Sequence, residues 1–569
     1  MFTKSFFSTS KPFTGLSFLL LLQHLGVSSY AASIASPACH DKGRTNQTIR
    51  WVDCHDRVPE PIEPALNITG STFVGDLPPN LFCGEMDVPM DYSKPFDAKH
   101  NNITIGFAMN RPSKRASGLV IYHAGGPGEN AAAEIWASAL NLSASFAGLE
   151  DFDVLGVNTR GIQFSNPLNL SSGVFFDGIP AFPSNEEEFK QYQAAMTKFY
   201  AAAIRDSTPP GIMEHVSTTE MVEDWESVRR ALGYKKVNYA GVSYGTFVGL
   251  AYATSRPEVV DRFVLDAAIP HGMSFQEMIK FQVGAVNRLV QRADAFCLND
   301  TACPFYGQGN GSVIKAWEAV LAQAEQSPIP APSCLSNSTE IPCVSPVTST
   351  SLRQGVDFIF RSNSDFPLFN LAMNQSLNGD ASLIAYKPAI DIRESVVSPL
   401  LCSDTKIEES IKTWEGFNNL TLNAKREGFD PFNIVYSQIW QLGLQCSVWP
   451  FKTPDRTTLP TDLPIMWMTS DFDLNLPTEL TTFAWQQAPN STLVIRHGDD
   501  HTSILIPAPA DAAGNVAREF IRTGVMPGSR DDAQVTIIGP GGERPPVPGA
   551  YEVPTGAIAG DFSSVEVIV

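Results

Sequence analysis

The chain has little positive charge and few long apolar segments. It carries 40 lysines and arginines against 60 aspartates and glutamates, a formal net charge of −20. A surface of this sign repels phosphate backbones and anionic headgroups, so we expect no nucleic-acid partner and no stable membrane association. Beyond the N-terminal region no apolar run is long enough to cross a bilayer, and no internal repeat is present. We therefore expect a soluble mature protein, and the oligomeric state stays open.

Metal-binding patterns are also missing. There is no C-x-x-C pair, and the H-x-x-x-H spacing from His497 to His501 contains a Gly-Asp-Asp turn instead of a helix face. We expect no metal site and no cofactor.

The N-terminus has the pattern of a secretory signal peptide. Lys4 and Lys11 precede an apolar segment at 13–22, and small residues at 28–35 offer cleavage sites, with Ala31 as the last signal residue. The apolar run is too short to span a bilayer, and an uncleaved anchor at the membrane surface is the alternative. Eleven N-x-S/T sequons indicate a secreted glycoprotein of the eukaryotic secretory pathway, with asparagines at Asn46, Asn67, Asn102, Asn141, Asn169, Asn299, Asn310, Asn337, Asn374, Asn419 and Asn490.

A G-x-S-x-G motif at 241–245 contains a candidate nucleophile. It follows the apolar run 237–240 and leads into the apolar stretch 246–253, which predicts a strand, a sharp turn and a helix. Such a turn projects the Ser243 hydroxyl away from the sheet, and the flanking glycines remove side chains that would collide there.

Candidate partners for this serine come later in the chain, in the order acid and then histidine. A predicted strand at 464–468 runs into Asp471-Phe-Asp473, and a second strand at 492–496 opens into His497-Gly-Asp-Asp-His501. In a triad the histidine takes the serine proton, and the acid holds the imidazole tautomer. We assign Asp473 and His501, because their turns place them beyond the strand ends; Asp471 and His497 are the alternatives.

A glycine-rich loop supplies the fourth element. The apolar strand 118–122 is followed by His123-Ala-Gly-Gly-Pro-Gly128, where glycines let a backbone amide approach an oxyanion. We assign the two oxyanion-hole amides to Gly126 and to Tyr244, the residue after the nucleophile.

These motifs resemble the proline iminopeptidase and tripeptidyl aminopeptidase group of α/β-hydrolases, of the secreted type with a tripeptidyl-aminopeptidase-like C-terminal region. The resemblance covers about 83–527 and also rests on Val88-Pro-Met-Asp-Tyr92, Thr159-Arg-Gly161, Cys402-Ser-Asp404 and Cys446-Ser-Val-Trp-Pro450. The chain departs from the pattern at Asn158, at Ala124 and in having two acids at 471 and 473. None of these departures removes the nucleophile, the base or the anion hole.

The resemblance implies an α/β-hydrolase fold, a mostly parallel sheet flanked by helices, with a largely helical inserted cap domain. We predict a signal peptide at 1–31, the first part of the hydrolase core at 32–270, the cap at 271–445, the returning core at 446–527 and an extended tail at 528–569. Nine cysteines fit an oxidising compartment. Their positions favour three pairs: Cys297 with Cys303, Cys334 with Cys343, and Cys402 with Cys446. Because the total is odd, at least one thiol stays unpaired.

Three functions of different classes fit these observations. The resemblance implies a secreted serine exopeptidase that releases N-terminal residues or short peptides; the second is a hydrolase of small esters or amides; the third is a non-catalytic binding protein, against which the intact site argues. The partner is thus a peptide or a small-molecule substrate. Recognition of a free ammonium would need acidic groups, for which the candidates are Glu129, Glu394, Glu408 and Glu409, with solvated surface charges as the alternative.

Overall fold

One mixed sheet forms the centre of the molecule. The protein is represented by a computed structural model, which describes residues 48–170, 179–335, 344–361, 364–385, 392–456, 459, 462–503 and 512–553. Within these ranges the sheet has eleven strands. In chain order they are β1 (Arg50–Val52), β2 (Leu81–Val88), β3 (Ile103–Asn110), β4 (Leu119–His123), β5 (Asp153–Val157), β6 (Val237–Val242), β7 (Val260–Asp266), β8 (Ile465–Ser470), β9 (Thr492–Arg496), β10 (Arg530–Asp531) and β11 (Val535–Ile538).

The order of the strands creates a crevice at the middle of the sheet. Across the sheet the order is β1-β2-β3-β5-β4-β6-β7-β8-β9-β11-β10, and the six strands from β5 to β9 are parallel. The chain leaves β4 toward β5 on one side and returns to β6 on the other. Loops after β4 and β6 therefore diverge at a topological switch point, where open α/β sheets bind their ligands.

The strand pattern of the sequence predicts most of this sheet. The sequence predicts strands at 103–110 and 492–496, and β3 and β9 have these bounds. It also predicts a first strand at 83–92, but β2 ends at Val88. Pro89 follows directly and lacks the N–H that would continue the antiparallel ladder with β3.

Helices cover the sheet and form a separate body beyond it. The described α-helices are α1 (Ala131–Ala139), α2 (Glu186–Asp206), α3 (Thr218–Ala231), α4 (Tyr244–Ser255), α5 (Phe275–Asn299), α6 (Ser312–Gln326), α7 (Ser349–Arg361), α8 (Phe366–Leu377), α9 (Ile392–Asp404), α10 (Trp414–Arg426), α11 (Gln438–Cys446), α12 (Thr478–Gln486) and α13 (Ala512–Thr523). None of them combines the length and apolar character that a membrane-spanning helix requires.

α3 shows how the sequence sets a helix boundary. The sequence predicts a capping box of Ser217 and Glu220 at its start. In the structure the Ser217 hydroxyl accepts a hydrogen bond from the Thr219 N–H and contacts the Glu220 carboxylate, so the two side chains bind each other at the start of the helix. Trp225 and Val228 lie on the buried face, as their helical spacing predicts.

The segment between β7 and β8 is helical where it is described. It contains α5 to α11. Apolar side chains of α5 to α8 form their own core around Leu289, Trp317 and Phe369, whereas those of α9 to α11 belong to the same apolar cluster as the sheet. We call this helical body the cap. It lies within the insertion predicted at 271–445, whose boundaries stay a prediction.

One helix that the sequence analysis did not predict also packs on the cap. α2 precedes β6 in the chain, yet the rings of Phe189 and Phe417 lie 5.2 Å apart and Gln193 donates to the Ser447 hydroxyl over 2.9 Å. A signal for this helix was present, because Asn185 followed by three glutamates is a typical helix start.

The C-terminal segment differs from the predicted extended tail. Its β-branched run Val535–Ile538 forms β11, which pairs antiparallel with β9, and β10 closes a short hairpin at the sheet edge. The glycines and prolines around this run favour a loop. The run nevertheless forms a strand, because the edge of β9 offers backbone N–H and C=O groups that need hydrogen-bond partners.

Disulfide bonds link distant parts of the fold. The predicted pairs Cys297 with Cys303 and Cys402 with Cys446 are confirmed. A third bond, Cys54 to Cys83, was not predicted; it joins the segment after β1 to β2. Cys334 is also disulfide-bonded, and its predicted partner at 343 lies outside the described residues. Three described disulfides fit an oxidising compartment outside the cytosol.

Candidate active site

Ser243 lies in the sharp turn between β6 and α4. Its backbone has φ 54° and ψ −124°, a strained conformation for a residue other than glycine. Every residue from 237 to 253 is buried except Ser243, so this serine alone reaches the surface in that run. A Cβ at Gly241 or Gly245 would lie 2.7 Å or 2.6 Å from a backbone oxygen, which explains the two glycines of the motif.

The loop after β4 packs directly against this turn. The register of β4 and β6 places His123 opposite Gly241. Gly125 has φ +103°, and a Cβ there would lie 2.9 Å from the Ser243 Cβ. Among the described residues, the N–H groups of Gly126 and Tyr244 have no acceptor. Gly126 follows the glycine that contacts the serine, and Tyr244 follows the serine in the chain, so the two amides stay candidates for the oxyanion hole.

His123 supports the conformation of this loop. The ring is fully buried, which lowers its pKa from 6.5 to about 4. Its Nδ1 accepts a hydrogen bond from the Gly125 N–H over 3.2 Å. Only a neutral imidazole can accept at this atom, so burial keeps His123 in the form that the loop requires.

Two aspartate and histidine pairs stand at the ends of β8 and β9. Asp473 Oδ2 lies 2.7 Å from His501 Nδ1, and Asp471 Oδ2 lies 2.7 Å from His497 Nδ1. The preferred acid and base are thus paired with each other, and so are the two alternatives.

The second ring nitrogen separates the two pairs. His497 Nε2 is 3.0 Å from the Thr536 hydroxyl on β11, so both of its nitrogens are engaged. His501 Nε2 has no hydrogen-bond partner in the described part of the chain. A general base needs a free Nε2 to take the serine proton. The geometry therefore favours His501 with Asp473 over His497 with Asp471.

A buried arginine holds the loop that carries His501. Arg496, at the end of β9, donates to the backbone oxygens of Asp500 and Thr502 over 2.9 Å each. Its Nε donates to the Ser503 hydroxyl over 2.9 Å. The Ser503 N–H in turn donates to the Asp266 carboxylate at the end of β7. The base loop is thus attached to two strands of the sheet.

Asp404 contacts Tyr244, the residue after Ser243, and was not among the predicted site residues. This buried carboxylate accepts from the Tyr244 hydroxyl over 2.7 Å and from the Thr218 N–H over 3.0 Å, and it contacts Arg456. Burial raises its pKa, against the opposing effect of Arg456. Asp404 connects the cap to the helix that begins at the elbow. Its only sequence signal was the Cys402-Ser-Asp404 motif.

The four candidate glutamates have different positions. Glu129 lies beside Gly126, since a Cβ at that glycine would meet the Glu129 Cγ at 3.1 Å. Glu408 accepts from the Phe275 N–H over 2.9 Å and thereby caps α5, whereas Glu409 is exposed and pairs with Lys412. The side chain of Glu394 lies outside the described part. Of the four candidate glutamates, Glu129 is therefore the residue that a described contact places beside the predicted oxyanion loop.

The sequon asparagines lie at or near the surface where they are described. Seven are exposed, namely Asn67, Asn141, Asn169, Asn299, Asn310, Asn419 and Asn490. Asn102 and Asn374 are partly buried. The other two, at 46 and 337, fall outside the described residues, as does the predicted signal peptide.

In the described ranges no group of three or more histidine, cysteine, aspartate or glutamate side chains is placed to hold a metal ion.

Two families match the chain in the regions that hold this site. The α/β hydrolase fold family matches residues 118–326, which include the elbow and the glycine-rich loop. The TAP-like protein family matches residues 431–534, which include both aspartate and histidine pairs. The two matches thus divide the site between them.

Several named proteins are similar to larger or smaller parts of this chain. Tripeptidyl aminopeptidases of Streptomyces lividans and Streptomyces coelicolor are each 25% identical over 441 residues, 74% of this chain and 77% of theirs. Serine protease Hip1 of Mycobacterium tuberculosis is 26% identical over 266 residues, 46% of this chain and 47% of its own. Among solved structures, esterase E22 is 13% identical, with 78% of this chain and 100% of that chain covered and a TM-score of 0.34.

The fold and the site define a serine hydrolase. The strand order, the strained elbow serine and the glycine-rich loop at the switch point are those of the α/β-hydrolase fold. The chain has this fold, and its C-terminal region is similar to the TAP-like protein family.

Proposed function

We propose that this protein is a secreted serine exopeptidase that removes residues or short peptides from free N-termini. The observation that carries the proposal is the pairing of Asp473 with His501, whose Nε2 has no hydrogen-bond partner among the described residues. The chain is also similar to a tripeptidyl aminopeptidase over 74% of its length. Ser243 on its elbow and the amides of Gly126 and Tyr244 complete the proposed machinery.

The reaction proceeds through an acyl-enzyme. His501 Nε2 takes the Ser243 proton as the hydroxyl oxygen attacks the substrate carbonyl, and the two amides stabilise the resulting oxyanion. Asp473 holds the Nδ1 proton and stabilises the imidazolium. His501 then protonates the leaving amine, and water repeats the sequence on the acyl-enzyme. No step requires a metal or a cofactor.

Selection of free N-termini is assigned to Glu129. A carboxylate next to the oxyanion loop can pair with the substrate ammonium, and such a pair in a partly dehydrated site discriminates strongly against a blocked amine. Glu408 contacts the start of α5 and Glu409 lies in a surface ion pair, and no described contact places either of them beside the glycine-rich loop.

Export through the eukaryotic secretory pathway, with N-glycans attached, is part of the same proposal. Three described disulfides and the surface position of seven sequon asparagines support it. Enzymatic removal of N-glycans from protein isolated from the organism that produces it should lower the apparent mass of the protein on a denaturing gel. An unchanged mass would contradict this part of the proposal.

Peptides with free and blocked N-termini test the activity. We expect the purified protein to cleave short free peptides at least about 10²-fold faster, in kcat/KM, than their N-acetylated forms. Peptides of graded length then define the size of the released fragment. Equal rates on both forms, together with faster cleavage of simple aryl esters, would replace the exopeptidase with a hydrolase of small esters.

A further inference from the structure

A buried arginine of the cap contacts the loop of the proposed base. Arg292 lies on α5 with no exposed surface. Its Nε and Nη2 donate to the two carboxylate oxygens of Asp499 over 2.6 Å and 2.8 Å. Asp499 is itself buried and stands two residues before His501. This bidentate pair links the cap to the loop that carries the base.

The same arginine also contacts the turn of the proposed acid. Its guanidinium carbon lies 4.4 Å from the ring centroid of Phe472, the residue that precedes Asp473. Phe472 and Leu474, on either side of the acid, belong to the apolar core of the cap. The Phe472 N–H donates to the Gly498 oxygen over 3.0 Å, so the acid turn and the base loop meet beneath the guanidinium.

A segment near the C-terminus closes over this arrangement. Arg292 Nη1 donates to the Ala550 oxygen over 2.9 Å and also contacts the Val553 oxygen. Two residues further along α5, Asp294 accepts from the Tyr551 hydroxyl over 2.9 Å. Residues 550–553 thus pack against the cap at the point where the cap contacts both loops.

We propose that Arg292 is a positioning residue, which sets the distance between the acid turn and the base loop and is held in place by residues 550–553. The inference rests on the proposed roles of Asp473 and His501. A planar, forked guanidinium can bind a carboxylate in two places and stack on a ring at once, which an ammonium cannot. A displacement of about 1 Å in a catalytic group can cost on the order of 10²-fold in rate.

Two single variants test this role. Arg292→Lys keeps the charge but loses the fork, and Asp499→Asn keeps the shape but loses the charge pair. We expect each to lower kcat about 10- to 100-fold while KM changes by less than about threefold. The rate at which a fluorophosphonate labels Ser243 should fall by a similar factor, because labelling needs the base in position. Both rates are measured per folded molecule.

The matched control is Arg353→Lys. Arg353 is another mostly buried cap arginine, but it donates to the Asn433 oxygen and to Glu325 and contacts neither loop. It should affect thermal stability without slowing kcat or labelling. The double variant Arg292→Lys with Asp499→Asn should lose little more activity than either single variant, because both remove the same contact.

Each outcome bears on the proposal. Full kcat and full labelling rate in folded Arg292→Lys or Asp499→Asn would overturn it, and so would an equal loss in Arg353→Lys. If Arg292→Lys does not fold, Asp499→Asn decides the question alone. Failure of the proposed function gives a different result, namely that the Ser243→Ala variant keeps the activity of the wild-type protein.

Discussion

The Nε2 atom of His497 lies 3.0 Å from the hydroxyl oxygen of Thr536. With Asp471 on the other side of the ring, His497 is hydrogen-bonded at both nitrogens. Thr536 also donates to Asp531 over 2.7 Å, so the contact belongs to a polar chain along the edge hairpin. This pair therefore stabilises the sheet edge, while the second pair remains available for catalysis.

The first prediction separates the two pairs by activity. Asp473→Asn and His501→Ala should each lose most of the turnover, whereas Asp471→Asn and His497→Ala should keep most of it, because His497 Nε2 is already engaged. Steady-state rates on one peptide substrate for all four variants provide the comparison. The opposite pattern would move the acid and base to Asp471 and His497 within the same reaction class.

A second prediction concerns the nucleophile. Ser243→Ala should lower turnover on the order of 10³-fold or more, because no other group forms the acyl-enzyme in this mechanism. The fold should persist, since Ser243 makes no side-chain hydrogen bond within the described ranges. Ser255→Ala, an exposed serine on the same helix, is the control and should keep full activity. Fluorophosphonate labelling that survives in the Ser243 variant would show that another residue is the nucleophile.

The third prediction uses the pH dependence of stability. The hydrogen bond to Asp471 raises the pKa of His497 above 6.5. A histidine whose pKa is raised in the folded state stabilises the protein below its unfolded pKa, and this contribution disappears as the pH rises through the folded value.

His497→Gln should therefore lower Tm more at about pH 5.5 than at about pH 9, by an extra amount on the order of 1–2 °C. Thermal unfolding of wild type and variant at both values measures the difference. Asp471→Asn should behave in the same way, because it removes the partner that raises the pKa. A larger effect at the alkaline value would contradict the assignment.

The fourth prediction concerns selection of the substrate amine. Glu129→Gln should reduce the preference for free over N-acetylated peptides from at least about 10²-fold to less than about 10-fold. The kcat/KM for free peptides should fall, and the kcat/KM for acetylated peptides should change less. Glu409→Gln is the matched control, because Glu409 is exposed and pairs only with a surface lysine in the described structure. An unchanged preference in Glu129→Gln would place the amine site at another residue, outside this loop.

Local sequence determined the elements and their order. The bounds of β3 and β9 and the start of α3 follow from alternation, helical spacing and a capping box, all of which act over a few residues. The elbow serine, the glycine loop and the two acid and histidine turns were likewise visible, because each follows a predicted strand. The chemistry of the site is thus encoded in short motifs.

Tertiary structure decided which of these residues meet. Which aspartate pairs with which histidine depends on how the ends of β8 and β9 pack, and the paired Asp473 and His501 are 28 residues apart in the chain. Arg292 and Asp499 are 207 residues apart. The same holds for β11, which forms because β9 leaves an open edge, and for the Cys54 to Cys83 bond. Short-range patterns carry no information on such partners, since hydrogen bonds and ion pairs depend on distances that only the folded chain establishes.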